Sequence, residues 1–205
     1  MKRIICSLAV VFGACAVPAQ SPASQAPVAS TEQGLSKSDC PSNVPAALVP
    51  AADQALYKVF AAEGVQIYRC TANATGAAWV FDSPDALLLK NDECDDDGDM
   101  KIVGHHFAGP TWEYKDRSQV VGAKVAGATV DATAIPWLLL NAVSHTGAGA
   151  FAQVTSIQRL NTVGGNAPST GCDATTVGAV ARVPYTATYF MYRTRSGDNS
   201  NRQCN

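Results

Sequence analysis

The sequence predicts an all-β domain: a single sandwich or barrel of short antiparallel strands with at most short helical pieces. Three observations carry that expectation. Extended stretches rich in β-branched and aromatic residues recur between residues 56 and 192. Gly- and Pro-containing turns separate them, as at Gly109-Pro110 and Gly164-Gly165. No strand–helix–strand rhythm appears, and no glycine-rich phosphate loop follows a strand, which argues against a dinucleotide-binding fold.

Ahead of the domain stands an export signal. Lys2 and Arg3 precede an apolar run over residues 4–14 that is too short for a membrane span. Phe12-Gly13-Ala14-Cys15 resembles a bacterial lipoprotein box, with residues 1–15 as the signal and Cys15 as the lipidation site; cleavage after residue 16 or 19 is the alternative. Residues 16–39 are rich in Ala, Pro, Ser and Gln, and cannot bury enough apolar surface to offset the entropy of ordering them. Such a tether reaches roughly 25–30 Å. The expected location is therefore outside the cytoplasm. It is a bacterial outer-membrane lipoprotein or periplasmic protein, alternatively an extracellular one, whose membrane contact runs only through a lipid on Cys15.

The β-rich domain is expected over residues 40–195, with a polar tail at 196–205. Residues 56–60 and 65–70 read as a first hairpin reversing at Gly64, with Val65 and Ile67 on one face of the second strand. A helix over residues 53–63 is the competing reading, because Leu56, Val59 and Phe60 are also helically spaced. Residues 79–81 make the next strand, and Ser83-Pro84-Asp85 opens a turn or short helical piece through Leu89. Residues 101–107, 111–114 and 120–125 follow as strands. The dense apolar segment 137–143 must be buried, and 151–160 and 180–192 are long strand candidates. In the last, Val183, Tyr185, Ala187, Tyr189 and Met191 share one face, and Thr186, Thr188, Phe190 and Tyr192 the other.

Charge and cysteines narrow the class. Without Lys2 and Arg3 the chain has 13 basic against 17 acidic residues and no basic run, so no nucleic-acid partner is expected. Beyond Cys6 and Cys15 stand Cys40, Cys70, Cys94, Cys172 and Cys204, with no Cys-x-x-Cys pair. Exported cysteines default to disulfides, and five leave one over.

Several segments together resemble a secreted family catalogued as domain of unknown function 3455. They are Gly64-Val65-Gln66-Ile67-Tyr68-Arg69-Cys70, Gly104-His105-His106-Phe107-Ala108-Gly109-Pro110-Thr111-Trp112-Glu113, residues 134–140, residues 157–165, Gly171-Cys172-Asp173 and residues 183–189. The likeness runs in order over nearly all of residues 44–193. It implies an exported protein of a kind found in bacteria and fungi, with no activity firmly attached. It also implies that Cys70 pairs with Cys172 and, as in fungal-type members, Cys40 with Cys94, which leaves Cys204 as the odd thiol.

Four groups of residues carry candidate chemistry. His106 with Glu113 would make a general base or a metal ligand, while His105 next to His106 points to the opposite face of its strand. The ordinary reading of His106 is a buried imidazole bonded to a backbone carbonyl at the Gly109-Pro110 corner. Asp95 and Asp97, ahead of Gly98 in the acidic run 92–99, echo a calcium loop without its closing Glu. Gln66, Tyr68, Gln158, Arg159 and Asn161 are polar residues set in strands, and an arginine fork among amides suits a carboxylate or a sugar. Trp112 belongs with Trp79, Trp137, Tyr185, Tyr189, Phe190 and Tyr192 to an aromatic set that is either core or a stacking platform. The ligand-binding expectation rests on Gln66, Tyr68, Trp112, Arg159 and Asn161. The leading functional expectation is a non-enzymatic binding or structural module for a small molecule, a glycan or an envelope protein. It needs no cofactor, though a metal ion at His106, Asp95 or Asp97 is a minor option. The alternative is a metal-assisted or acid–base enzyme centred on His106 and Glu113.

Overall fold

The computed structural model describes residues 39–91, 100–196 and 204. Eight antiparallel strands close into one up-and-down barrel in sequence order. They are β1 (Gln54–Asn73), β2 (Gly76–Asn91), β3 (Met100–Phe107), β4 (Thr111–Tyr114), β5 (Gln119–Ala128), β6 (Trp137–Thr146), β7 (Ser156–Gly164) and β8 (Val180–Thr194). β1 pairs with both β2 and β8, which closes the barrel, while the first part of β2 up to Asp85 and of β8 up to Pro184 pairs with β1 alone. Two 3-10 turns, Ala46–Leu48 and Ala150–Gln153, are the helical pieces among the described residues.

The chain is all-β as expected, but β1, β2 and β8 are long. The hairpin expected at Gly64 does not form: β1 runs straight through it, and the alternative helix over 53–63 is strand as well. Gly64 serves close approach rather than reversal. A Cβ there would stand 2.2 Å from the Asp85 carbonyl oxygen and 2.4 Å from the Ala86 Cα. The turn expected at Ser83-Pro84-Asp85 is likewise strand. Pro84 pairs with Gln66 on β1, and the β2–β3 ladder ends at Ala86–His106, so the missing N–H stands where β2 has no second neighbour. Pro184 repeats the device on β8, opposite Val65 and one residue beyond the last pair with β7.

Two apolar clusters lie on the two sides of the wall. The inner one includes Phe60, Ala62, Leu88, Trp112, Ile157, Tyr185, Tyr189 and Met191. The outer one gathers Leu48, Leu56, Leu139, Leu160, Phe190 and Tyr192 beneath the segment that precedes β1. Both faces of β8 are therefore buried over Tyr189–Tyr192, and the alternation expected there divides correctly between inside and outside. Gln158 belongs to the outer side, donating to the Leu48 carbonyl at 2.6 Å and accepting from the Tyr192 hydroxyl at 2.7 Å. One barrel end is closed by Phe151, whose ring packs on Phe60 and Tyr114. The backbone N–H groups of Ala150 and Phe151 donate to Asp116 and Ser118, which holds that plug in place.

Two disulfides lock the fold. Cys70 bonds to Cys172, the pair that the resemblance implies. The second corrects the expectation: Cys40 bonds to Cys204 rather than to Cys94. Cys204 is thus no odd thiol. It packs with Cys40 against the outer apolar cluster, where the two ends of the domain meet. Cys94 lies outside the described residues, as do Cys15, Asp95 and Asp97.

Candidate functional site

Away from the Phe151 plug, the barrel interior opens into a cavity of about 330 Å³. Strand alternation decides what faces it. On β1 the inward set is Phe60, Ala62, Gln66, Tyr68 and Cys70, all buried, while Val65 and Ile67 face outward. Thus a glutamine amide enters the interior where two β-branched residues do not. On β3 and β4, His106 stands opposite Trp112 and His105 opposite Glu113. Directly paired residues share a face, so His106 and Trp112 point in while His105 and Glu113 point out. On β7, Arg159 follows inward-facing Ile157 by two positions and enters the same space.

The interior polar groups are unevenly satisfied. His106 Nδ1 lies 2.9 Å from the Thr111 carbonyl oxygen. A carbonyl only accepts, so this nitrogen carries the proton and Nε2 is bare in the neutral ring. The His106 ring stacks on Trp112, with centroids 4.1 Å apart and planes 8° from parallel, and meets Tyr189 edge-on. Burial, reinforced by the charge of Arg159, outweighs the Thr111 hydrogen bond and lowers the His106 pKa to about 3, so the imidazole is neutral at pH 7. Burial raises the pKa values of Tyr68, Tyr185 and Tyr189 against the opposing pull of the Arg159 charge.

Arg159 is half-buried, and its Nη2 donates to the Pro136 carbonyl at 2.9 Å. Its Nε has no partner. The same is true of Gln66 Nε2 and Trp112 Nε1, and these are the three buried side-chain polar atoms left unsatisfied among the described residues. Gln66 nears the Tyr185 hydroxyl, and Arg159 nears that of Tyr189, without bringing these N–H groups into hydrogen-bond geometry. The three residues that carry them all line this cavity. A buried donor that neither protein nor water satisfies costs about 1–3 kcal/mol, and donors without a protein partner gathered in one place ask for an explanation.

The family model for proteins of unknown function DUF3455 matches residues 50–193. The chain belongs to that family. No curated protein and no solved structure matches it. The matched span of this DUF3455 chain takes in all eight strands apart from the last residue of β8, so the family domain is the barrel with its cavity.

Of the residues expected to bind a ligand, Gln66, Trp112 and Arg159 converge on the cavity. Tyr68 does not line it; the Tyr68 hydroxyl donates to the Gly165 carbonyl at 2.6 Å. Asn161 sits at a bulge with a φ of 51° and donates to Thr188 on the exposed side. His106 lines the cavity but is separated from Glu113 by the barrel wall. Glu113 instead accepts from Gln119 at 2.6 Å and pairs with Arg117. The expected His106–Glu113 pair is therefore not assembled. Among the described residues no three His, Cys, Asp or Glu side chains gather as a metal site. Sequence reasoning missed Lys124, Leu138 and Leu140 as lining residues and left Tyr189 between the core and a stacking platform. For the first three no local signal existed, because only barrel closure brings β5 and β6 round to face β1.

Proposed function

We propose that this DUF3455 barrel is a binding module that holds one small molecule in its interior. The observation that carries this is that the three residues with an unpartnered buried donor all line a single cavity. Eight strands give a barrel whose interior is either filled by side chains or holds one small ligand. Here one half is filled around Phe151 and the other is not. The cavity volume stands at the lower end of the range for small-molecule sites. Two disulfides suit an oxidising compartment, and among the described residues no helix is long and apolar enough to cross a membrane. Together with the signal sequence, these support a module exported to the cell envelope and tethered through Cys15.

The test uses prodan, a neutral fluorescent ketone with one acceptor oxygen. Prodan should bind one per chain with a saturable blue shift. Leu138→Trp, which extends a lining side chain into the cavity, should abolish that shift while leaving the near-ultraviolet circular dichroism of the fold in place. A folded Leu138→Trp variant that still takes up prodan, or no saturable binding to the wild type, contradicts the reading.

A further inference from the structure

The chemistry of the cavity restricts what can fill it. The three buried side-chain atoms without a partner among the described residues are all N–H donors, and the bare His106 Nε2 adds one lone pair to the lining. A ligand that satisfies these donors must supply oxygen or nitrogen lone pairs. The lining also contains two cations, Arg159 and Lys124, and no carboxylate. Neither cation forms an ion pair with a described residue, whereas nearby Asp85 is engaged by Arg182 at 2.7 Å. This local positive charge stands against a chain whose net charge is −2. His106 adds no charge of its own. The rest of the wall is apolar, with Leu138, Leu140 and Phe81 beside the Trp112 ring.

We propose, building on the binding reading above, that the cavity takes a small monocarboxylate with a compact apolar body. Its carboxylate accepts from the unpartnered Nε–H of Arg159, whose Nη2 is held by the Pro136 carbonyl. Its oxygens satisfy the Gln66 and Trp112 N–H groups, and its body lies against Leu138 and Leu140. An arginine fork prefers a carboxylate because two parallel N–H groups meet two oxygens. Apolar walls around it exclude water and strengthen that contact.

The experiment is calorimetric titration of three acid–amide pairs at pH 7: benzoate and benzamide, 2-naphthoate and 2-naphthamide, octanoate and octanamide. The wild type should bind at least one acid tenfold or more tighter than its amide. Arg159→Gln should reduce that preference to about twofold while still binding the amide, which also reports that the cavity is intact. Arg159→Lys should retain part of the preference. Amides binding as tightly as their acids in every pair, or a preference that survives in Arg159→Gln, overturns the proposal. Failure of all three acids while prodan still binds rejects the carboxylate class and leaves the binding reading standing. Failure of prodan as well rejects both.

Discussion

Gln66→Met separates a cavity kept for a ligand from one that is merely imperfect packing. Gln66 is 2 % exposed, and its amide nitrogen has no partner. An unsatisfied buried amide costs about 1–3 kcal/mol. Methionine has a similar length and shape, with no N–H to strand. Its thioether therefore recovers that cost with little change in packing, and the ligand-free variant should be more stable than the wild type by about 1 kcal/mol. For a domain of this size that raises the unfolding midpoint by roughly 2–4 °C. The assay is thermal unfolding by circular dichroism on protein freed of ligand by refolding from denaturant, with prodan titration in parallel. Stability should rise while affinity for prodan falls, because the variant cannot donate to its ketone. A lowered midpoint would show that the amide is already satisfied in the free protein, by water or by a neighbouring side chain. The orphaned donor would then carry no argument for a ligand.

Three further outcomes are expected. The His106 pKa of about 3 lies below the ordinary value of 6.5, so between those pH values the unfolded chain binds a proton that the native state does not. Stability should be fully present above pH 6.5 and fall by about 1.4 kcal/mol per pH unit on acidification; urea unfolding at pH 6.5, 5.5 and 4.5 should show His106→Gln losing that share of the slope, and equal slopes would contradict the buried neutral ring. Gly64→Ala should destabilise by more than about 2 kcal/mol, because its Cβ meets backbone atoms of β2 that can move only if the strands part; an unchanged denaturation midpoint would contradict the register. Cys204→Ser should lower stability by about 2–5 kcal/mol, while Cys94→Ser leaves the Cys40–Cys204 bridge intact in non-reducing peptide maps; recovery of a Cys40–Cys94 peptide from wild type would restore the other pairing.

The fold class was legible because strand-forming residues, turn signals and the absence of a helix–strand alternation all agree. The alternation on β8 even separated the inner Tyr185–Ala187–Tyr189 face from the outer Phe190 and Tyr192 face. What failed was punctuation. Gly64 and Pro84 read as breaks, yet both lie within strands. One is required by a close strand–strand contact, and the other is tolerated because its second neighbour has ended. Neither condition exists until the barrel closes. The same holds for the direction of β1. Its pattern displays Val65 and Ile67 as a natural core face, but the interior receives Gln66 and Tyr68 instead.

The site was legible in part for a related reason. Gln66, Trp112 and Arg159 stand out as polar or amphipathic residues in strands, which is unusual enough to notice. That they face one another is a property of the closed sheet, across β1, β4 and β7. His106 and Glu113 show the opposite case, being near in sequence and on adjacent strands but divided by the wall. Cys40 and Cys204 were also beyond reach, because their pairing depends on the two ends of the domain meeting over the outer apolar cluster.

The sharpest measurement is the indole N–H signal of Trp112 in a ¹⁵N–¹H spectrum, assigned with Trp112→Phe and followed while a bound acid saturates the cavity. Trp79 is the internal reference, because its indole already donates to the Thr170 carbonyl at 2.9 Å. The account predicts that the Trp112 proton moves downfield and slows its exchange with solvent as it gains an acceptor, while Trp79 stays in place. A Trp112 signal unmoved by a saturating acid, or one already protected in the ligand-free protein, would contradict it.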